Sequence, residues 1–205
     1  PVEHWDDLAL TTTQDRELPQ YLASRREGIF DWIVFHRPST QDPAAMATTL
    51  GLDPAKPTIG LLTNVAWDAQ LHYPANAFPN MLDWLAKTCR YFATRPDLQL
   101  LVRIHPAEIS GFPPSRQPIL SELRKHLPDL APNIFIVAPE SGMSTYALMS
   151  LCNAAIIYGT KMGVELTSIG QPVIVAGEAW IRNKGLTHDA RTPEEYFAIL
   201  DRLPF

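Results

Sequence analysis

Cysteine is scarce in this 205-residue sequence, which contains only Cys89 and Cys152. Both lie far apart in apolar stretches with helical spacing, so we expect two buried thiols. They supply neither a disulfide framework nor the ligand spacing of a zinc site. The sequence therefore favours a reducing compartment, and we expect the protein in the cytoplasm.

Long apolar runs and basic clusters are also missing. No stretch approaches the roughly 18 consecutive apolar residues of a membrane span. The first residues lack the basic start and apolar centre of a signal peptide. The formal net charge is −5 and no basic stripe stands out, which argues against nucleic-acid binding. An anionic ligand must therefore be held by a local group of donors.

Several motifs of well-defined chemistry do not occur. There is no paired His or Asp motif of a metal site, so we expect no metal and no cofactor. Neither the phosphate-binding Gly-x-x-x-x-Gly-Lys-Ser/Thr nor Gly-x-Gly-x-x-Gly is present, which weakens kinase, ATPase and dehydrogenase interpretations. A Gly-x-Ser-x-Gly elbow is also missing, which weakens the case for a serine hydrolase.

Apolar runs that alternate with helical patterns occupy residues 56–205. The predicted strands are 58–63, 98–104, 133–137, 154–158 and 172–175, and the predicted helices are 78–92, 118–126, 144–151, 162–169 and 193–200. Strands that are continuously apolar are typical of a parallel sheet covered on both faces. The sequence predicts an α/β fold with a Rossmann-like, doubly wound sheet of about five strands.

Residues 1–55 contain no predicted strand and form a helical N-terminal extension. One helix is expected over 14–26 with Pro19 in its first turn, and another over 43–50 between the cap Asp42 and Gly51. We expect this part to be a linker or the remnant of a preceding domain. The first residue is Pro1 rather than Met, which suggests processing or excision from a longer chain.

Open parallel sheets bind ligands where their strands end, and the fourth strand ends in a glycine-containing turn. Gly159, Thr160, Lys161 and Gly163 lie between this strand and a helix, where amide groups and the helix dipole favour an anion. We expect these four residues to contact a phosphate. Glu165, in the first helical turn, can accept hydrogen bonds from a ribose. A capped helix with glycine for close packing is the alternative that this motif leaves open.

Two more strand ends carry candidate ligands. Arg103 ends the second strand and His105 follows, where it can donate to a phosphate. Glu108 can orient that histidine or act as a base, and a solvated loop carboxylate is its plainer interpretation. After the third strand, Ser144 is an expected helix cap, and with Tyr146 it is a candidate for the ribose or the base.

Secondary candidates lie in two further loops. Asn64 follows the first strand. The long polar loop 177–189 follows the fifth strand and contains Arg182, Lys184 and His188, which suit a base, a phosphate or an acceptor sugar.

Taken in order, these loops resemble those of the bacterial capsule polysaccharide biosynthesis proteins, which include the capsular Kdo transferases and have a two-domain GT-B architecture. The resemblance covers roughly 23–200. Its motifs are Thr63-Asn64-Val65-x-Trp67-Asp68, Val102-Arg103-Ile104-His105-Pro106-Ala107-Glu108, Ser144-x-Tyr146-Ala147-Leu148, Tyr158-Gly159-Thr160-x-x-Gly163-x-Glu165, Gly170-Gln171-Pro172-Val173 and Lys184-Gly185-Leu186-Thr187-x-Asp189.

The resemblance implies the C-terminal, nucleotide-sugar-binding half of a glycosyltransferase for surface or capsular polysaccharide. His105 and Thr160 would be phosphate ligands and Glu165 the ribose ligand, with a CMP-linked acidic sugar such as CMP-Kdo as the donor. The acceptor would be a saccharide or glycolipid. A missing N-terminal domain would supply acceptor contacts and often the catalytic carboxylate, so the chain alone would be inactive. His105 and Glu108 are the catalytic candidates within it.

Two other functions stay open at this point. One is a UDP-sugar epimerase or hydrolase of similar architecture, which would need an acid–base set among Glu108, Glu140 and Glu178. The other is a non-catalytic scaffold of a polysaccharide assembly complex, with no nucleotide affinity. For the full-length protein, peripheral association with the inner face of the membrane is a further expectation.

Overall fold

The computed structural model describes residues 8–27, 42–67, 74–111 and 114–205. The chain divides into two compact units, with the boundary between Thr40 and Gln41. This boundary lies N-terminal to the one near residue 55 that the sequence suggested. Asp68, which belongs to one resemblance motif, lies outside the described residues. Residues 1–7, on which the expectations about a signal peptide and the first residue rest, also lie outside them. In the described part, no helix combines the length and the apolar character needed to cross a membrane.

The described part of the first unit contains helix α1, Thr12–Glu27. Thr11 and Gln14 cap its start reciprocally: the Thr11 amide donates to Gln14 Oε1 at 2.9 Å, and the Gln14 amide donates to Thr11 Oγ1 at 3.3 Å. Such a pair satisfies amides that have no partner within the helix. The expected place of Pro19 in the first turn is therefore wrong, because the cap begins the helix earlier and Pro19 lies inside it.

The second unit contains the remaining helices and all the strands. Its elements are α2 (Pro43–Leu50), β1 (Thr58–Leu62), α3 (Met81–Ala93), β2 (Gln99–Arg103), α4 (Ala107–Ser110), α5 (Ile119–His126), β3 (Ile134–Val137), α6 (Thr145–Ser150), β4 (Ala154–Ile157), α7 (Met162–Ser168), β5 (Val173–Val175), β6 (His188–Asp189) and α8 (Pro193–Leu200). As expected, the Asp42 side chain accepts from the Ala44 amide and Gly51 ends α2 at φ 74°.

The sheet has the strand order β3-β2-β1-β4-β5-β6, and every pair is parallel. The predicted Rossmann-like α/β fold is confirmed, with one strand more than expected. Strand β6 was not predicted, because two residues are too few for a periodic pattern. The chain order reverses between β1 and β4, which are hydrogen-bonded neighbours.

Alternate residues of the strands pack on opposite faces of the sheet. In β1, Ile59 and Leu61 pack in the apolar cluster that holds Trp84 of α3 and Tyr196 of α8. Leu62 joins the opposite cluster, with Met46 of α2. Both faces of the sheet are therefore covered, which explains why the strands are apolar throughout. Because Met46 packs there, α2 is part of the sheet unit.

Candidate functional site

Side chains after β1 connect the ends of three strands. Asn64 Oδ1 accepts from the Gly159 amide after β4 at 3.3 Å. Thr63 Oγ1 accepts from the His105 amide after β2 at 3.0 Å. We call this place the switch crevice, formed by Thr63, Asn64, His105 and the turn 158–165. It is where the strand order reverses, the position at which open α/β sheets bind ligands.

His105 is held in a defined orientation at this crevice. Its side chain is half-buried, and its Nδ1 accepts from the Ala107 amide at 3.0 Å. A nitrogen that accepts a hydrogen bond carries no proton, so the neutral ring carries its proton on Nε2. Since α4 begins at Ala107, the first turn of that helix fixes the tautomer. The ring can then present an N–H group to an anionic oxygen.

The turn after β4 uses most of its own amide groups. The Met162 amide donates to Thr160 Oγ1 at 3.3 Å, the Gly163 amide to the Thr160 carbonyl at 3.1 Å, and the Val164 amide to the Lys161 carbonyl at 3.0 Å. With Gly159 bonded to Asn64, the open cradle of amides suggested by the sequence is reduced. Among the described residues, no hydrogen bond engages the amides of Thr160 and Lys161.

The side chains of this turn differ in exposure. Thr160 is half-buried and Lys161 is exposed, so both can meet a ligand from solvent. Gly163 has another task. A Cβ there would clash with the Ile157 side chain and lie 3.3 Å from Ile181 Cγ2. Gly163 therefore allows α7 to pack closely on β4, the packing alternative that the sequence left open for this residue.

Glu165 and Tyr146 form a connection between two helices. The Tyr146 hydroxyl of α6 donates to Glu165 Oε2 of α7 at 2.5 Å, and the carboxylate is only 8% exposed. Ser144 caps α6, where its side chain accepts from the Ala147 amide. Two of the ribose candidates are thus in direct contact, and the third begins the helix that carries Tyr146.

The remaining candidates after β2 have partners within the protein. Arg103 is 4% exposed and donates to the carbonyls of Ala138 and Ser141, and burial lowers its pKa to about 10. Glu108 is 2% exposed and accepts from the Ile119 amide at 3.1 Å, at the start of α5. The structure thus corrects the expectation of a solvated loop carboxylate. These two side chains hold neighbouring loops and helices in place.

The loop after β5 divides its three candidates. Arg182 is 4% exposed and donates to the carbonyls of Gly177 and Ala190 at 2.8 and 2.7 Å, which closes the loop on itself. Lys184 is exposed. His188 stacks on the Phe205 ring at 4.4 Å, and Phe205 is bonded to Asn153 at the start of β4. His188 therefore lies toward the opposite edge of the sheet from the crevice.

The sequence did not indicate that Thr63 and Asn76 bond to backbone amides of distant loops. Asn76 Oδ1 accepts from the Glu178 amide at 3.0 Å and so fixes the start of the loop after β5. Neither residue has a sequence signal for this role, because both partners are distant along the chain. In the described ranges, no three His, Cys, Asp or Glu side chains are grouped as potential metal ligands.

No family model and no curated protein matches this chain by sequence. Solved structures do match. KpsC of Thermosulfurimonas dismutans, a beta Kdo 2,4 transferase, has a TM-score of 0.61 at 16% identity, over 93% of this chain and 56% of that protein. The KpsC beta Kdo 2,7 transferase of the same organism has a TM-score of 0.51 at 19% identity, over 89% and 48%.

A third match is MnaA of S. aureus in a structure with UDP, with a TM-score of 0.54 at 12% identity, over 80% of this chain and 40% of that one. The chain thus spans about half the length of the solved proteins it matches. At these identities the likeness establishes architecture. This chain has the Rossmann-like α/β fold of one half of the capsular Kdo transferases, the fold that its sequence motifs predicted.

Proposed function

We propose that this chain is the nucleotide-sugar-binding half of a glycosyltransferase that acts in the cytoplasm on surface or capsular polysaccharide. The observation that carries the proposal is the pair of hydrogen bonds from Thr63 and Asn64 to His105 and Gly159. They bring the histidine after β2 and the turn after β4 to one point. That point is the topological switch, where nucleotides bind in this architecture.

The phosphate of the donor would lie between His105 and the turn. The Nε2–H group of His105, the Thr160 hydroxyl and the Lys161 ammonium all suit a phosphate oxygen. During transfer of the sugar, negative charge develops on the departing phosphate. Donors that are already in position stabilise such charge without having to reorganise. His105 is held by Thr63 and by the Ala107 amide, which provides this preorganisation.

The ribose would be held by Glu165, whose carboxylate is an acceptor for two neighbouring hydroxyls. Tyr146 donates to this carboxylate and thereby fixes its direction. Support from the fold comes from KpsC, a Kdo transferase, and from MnaA, whose structure was determined with UDP. Acceptor contacts and the catalytic carboxylate would belong to a second domain, and a CMP-linked acidic sugar such as CMP-Kdo would be the donor.

The proposal is tested by calorimetric titration of the chain with CMP, UDP and GDP. We expect CMP to bind, and His105→Ala to weaken it by roughly 10- to 100-fold, the worth of a hydrogen bond to a charged group. His126→Ala is the matched control, because His126 is exposed at the end of α5. Equal CMP affinity in both variants would contradict the assignment of His105.

The same titration separates the other two functions. A preference for UDP over CMP would favour the epimerase or hydrolase, although that function has lost one candidate carboxylate, since Glu108 is occupied by Ile119. Absence of binding to all three nucleotides would favour the scaffold and contradict the proposed function.

A further inference from the structure

The loop after β5 carries the most exposed large apolar side chain among the described residues, Trp180, at 79%. Its two neighbours in the chain are buried: Ala179 and Ile181 are 6% and 8% exposed and pack in the apolar core. By comparison, Trp84 in α3 is fully buried. An indole kept in solvent between two buried anchors calls for a partner outside the protein core.

The loop that displays Trp180 is tightly fixed. Its start packs closely against the residue that follows β4, because a Cβ on Gly177 would clash with the Tyr158 carbonyl. The Arg182 amide donates to the Ala179 carbonyl at 3.0 Å and closes a turn around Trp180. The Arg182 guanidinium then ties that turn to Gly177 and Ala190. The exposure of the indole is therefore a built feature and not a consequence of a loose segment.

The anchors also place Trp180 beside the turn of the proposed phosphate site. Gly177 contacts Tyr158 at the start of that turn, and Ile181 lies against Gly163 within it. Trp180 lies between these two contacts along the loop. The loop segment that carries Trp180 thus packs against residues on either side of Thr160 and Lys161 in the chain, and its indole is open to solvent.

We propose that Trp180 is a stacking platform for a ring of the bound nucleotide-sugar. This inference rests on the proposed function. An indole offers a flat, apolar, electron-rich face, which suits the face of a nucleobase or the C–H face of a sugar ring. Its rigid support means that little conformational freedom is lost when a ring packs on it. The phosphate contacts would fix the ligand at one point, and Trp180 would fix the orientation of the ring beside it.

The test compares Trp180→Ala and Trp180→Phe with wild type, by calorimetry with CMP, UDP, CMP-N-acetylneuraminic acid and UDP-N-acetylglucosamine. We expect Trp180→Ala to weaken binding by about 5- to 50-fold, the range of a lost aromatic stack, and Trp180→Phe to recover most of the loss. Leu186→Ala is the matched control, because Leu186 is a 63% exposed apolar residue of the same loop without a ring. A loss that is already seen with the free nucleotide identifies the base as the stacked ring, and a loss confined to the nucleotide-sugar identifies the sugar.

Fluorescence gives an independent readout. Ligand binding should quench the indole emission of wild type, and Trp180→Phe should bind while losing most of that quenching. Wild-type binding with an unchanged affinity in Trp180→Ala would overturn the stacking role and leave the proposed function intact. Absence of binding by wild type would overturn the proposed function and this inference together. Unchanged thermal unfolding of the exposed-site variants confirms that any loss concerns the ligand.

Discussion

The two edges of the parallel sheet use their polar side chains differently. At the N-terminal edge, amide side chains stand at or just before four successive strands and bond to the backbone of adjoining segments. Gln99 donates to the Asp53 and Lys56 carbonyls, Asn133 to those of Phe92, Arg95 and Leu98, Gln171 to those of Met149 and Cys152, and Asn153 to that of Phe205.

At the C-terminal edge, two buried polar side chains connect strand ends to one another, and other polar side chains remain at least partly accessible. Thr63 and Asn64 join the ends of β1, β2 and β4, while Thr160 and Lys161 face solvent at least in part. The N-terminal edge thus satisfies the backbone groups of the fold, as buried polar groups must be. Substitutions at the N-terminal edge should therefore act on stability, and substitutions of the accessible residues at the C-terminal edge should act on binding.

The largest expected effect is that of Asn133→Ala, at the N-terminal edge. It removes the side-chain donor that reaches the carbonyls of Phe92, Arg95 and Leu98 at 2.8–3.0 Å and so loosens the connection between α3 and β2. We expect the free energy of unfolding to fall by about 2–4 kcal/mol, measured by urea denaturation. Asn153→Ala is the control, with a smaller loss because its bonds to Phe205 are exposed. An unchanged urea midpoint for Asn133→Ala would contradict a stabilising role for the amide side chains of the N-terminal edge.

Arg182→Met should show that one cation of the C-terminal edge acts on stability instead. The variant loses both bonds that close the loop after β5, so we expect it to destabilise the protein by about 2 kcal/mol, or roughly 4–8 °C in Tm. Lys184→Met is the control, because Lys184 is exposed in the same loop and should change Tm by little. Equal Tm values for the two variants would contradict a stabilising role for Arg182, which would then again be a candidate for ligand binding.

Much of the fold could be predicted from the sequence, because continuous apolar strands and capped helices are local patterns. The pairing of β1 with β4 follows from the rules of doubly wound sheets. The two-residue β6 and the start of α1 were missed. The first pairs with its neighbour β5, and the second depends on a capping pair whose first member, Thr11, lies before the expected helix.

The candidate site was less predictable, because residue type does not determine where a side chain points. Arg103, Glu108 and Arg182 have the chemistry of ligands, yet each is buried and bonded to backbone groups. Tyr146 and Glu165 meet only because α6 and α7 adjoin. Their contact cannot be read from a separation of 19 residues in the chain. The motif order indicated the edge of the sheet, whereas tertiary contacts determine which of these side chains are buried and which are accessible.

Tyr146→Phe tests whether a polar contact at the C-terminal edge acts on binding. The variant removes the hydroxyl that holds Glu165, so we expect nucleotide affinity to fall by about 3- to 10-fold, the worth of one ordinary hydrogen bond. Tyr91→Phe is the matched control. The Tyr91 hydroxyl donates to Asp201 Oδ1 over a distance of 2.8 Å, and neither residue belongs to the crevice. An equal change of affinity in both variants would mean that the Tyr146–Glu165 bond has no part in binding.

The smallest effect concerns the pH dependence of stability through Glu108. Burial raises the pKa of its carboxyl above the ordinary value of 4.5, the Ile119 hydrogen bond opposes the rise, and the charge of Glu140 adds to it. The unfolded chain therefore loses this proton at a lower pH than the folded protein. Between pH 4.5 and the raised pKa, the folded state therefore binds more protons than the unfolded state. The free energy of unfolding falls as the pH rises through this range.

Glu108→Gln removes this titration while keeping an oxygen that can accept from the Ile119 amide. We expect the urea-derived stability of the variant, relative to wild type, to increase between pH 4.5 and pH 7, and nucleotide affinity to stay unchanged. Glu140→Gln should flatten the wild-type profile only in part, because the charge of Glu140 is a lesser cause of the raised pKa than burial. A constant difference across this pH range would contradict the raised pKa of Glu108. A loss of nucleotide affinity in Glu108→Gln would instead indicate that this carboxylate takes part in ligand binding, in addition to its contact with the start of α5.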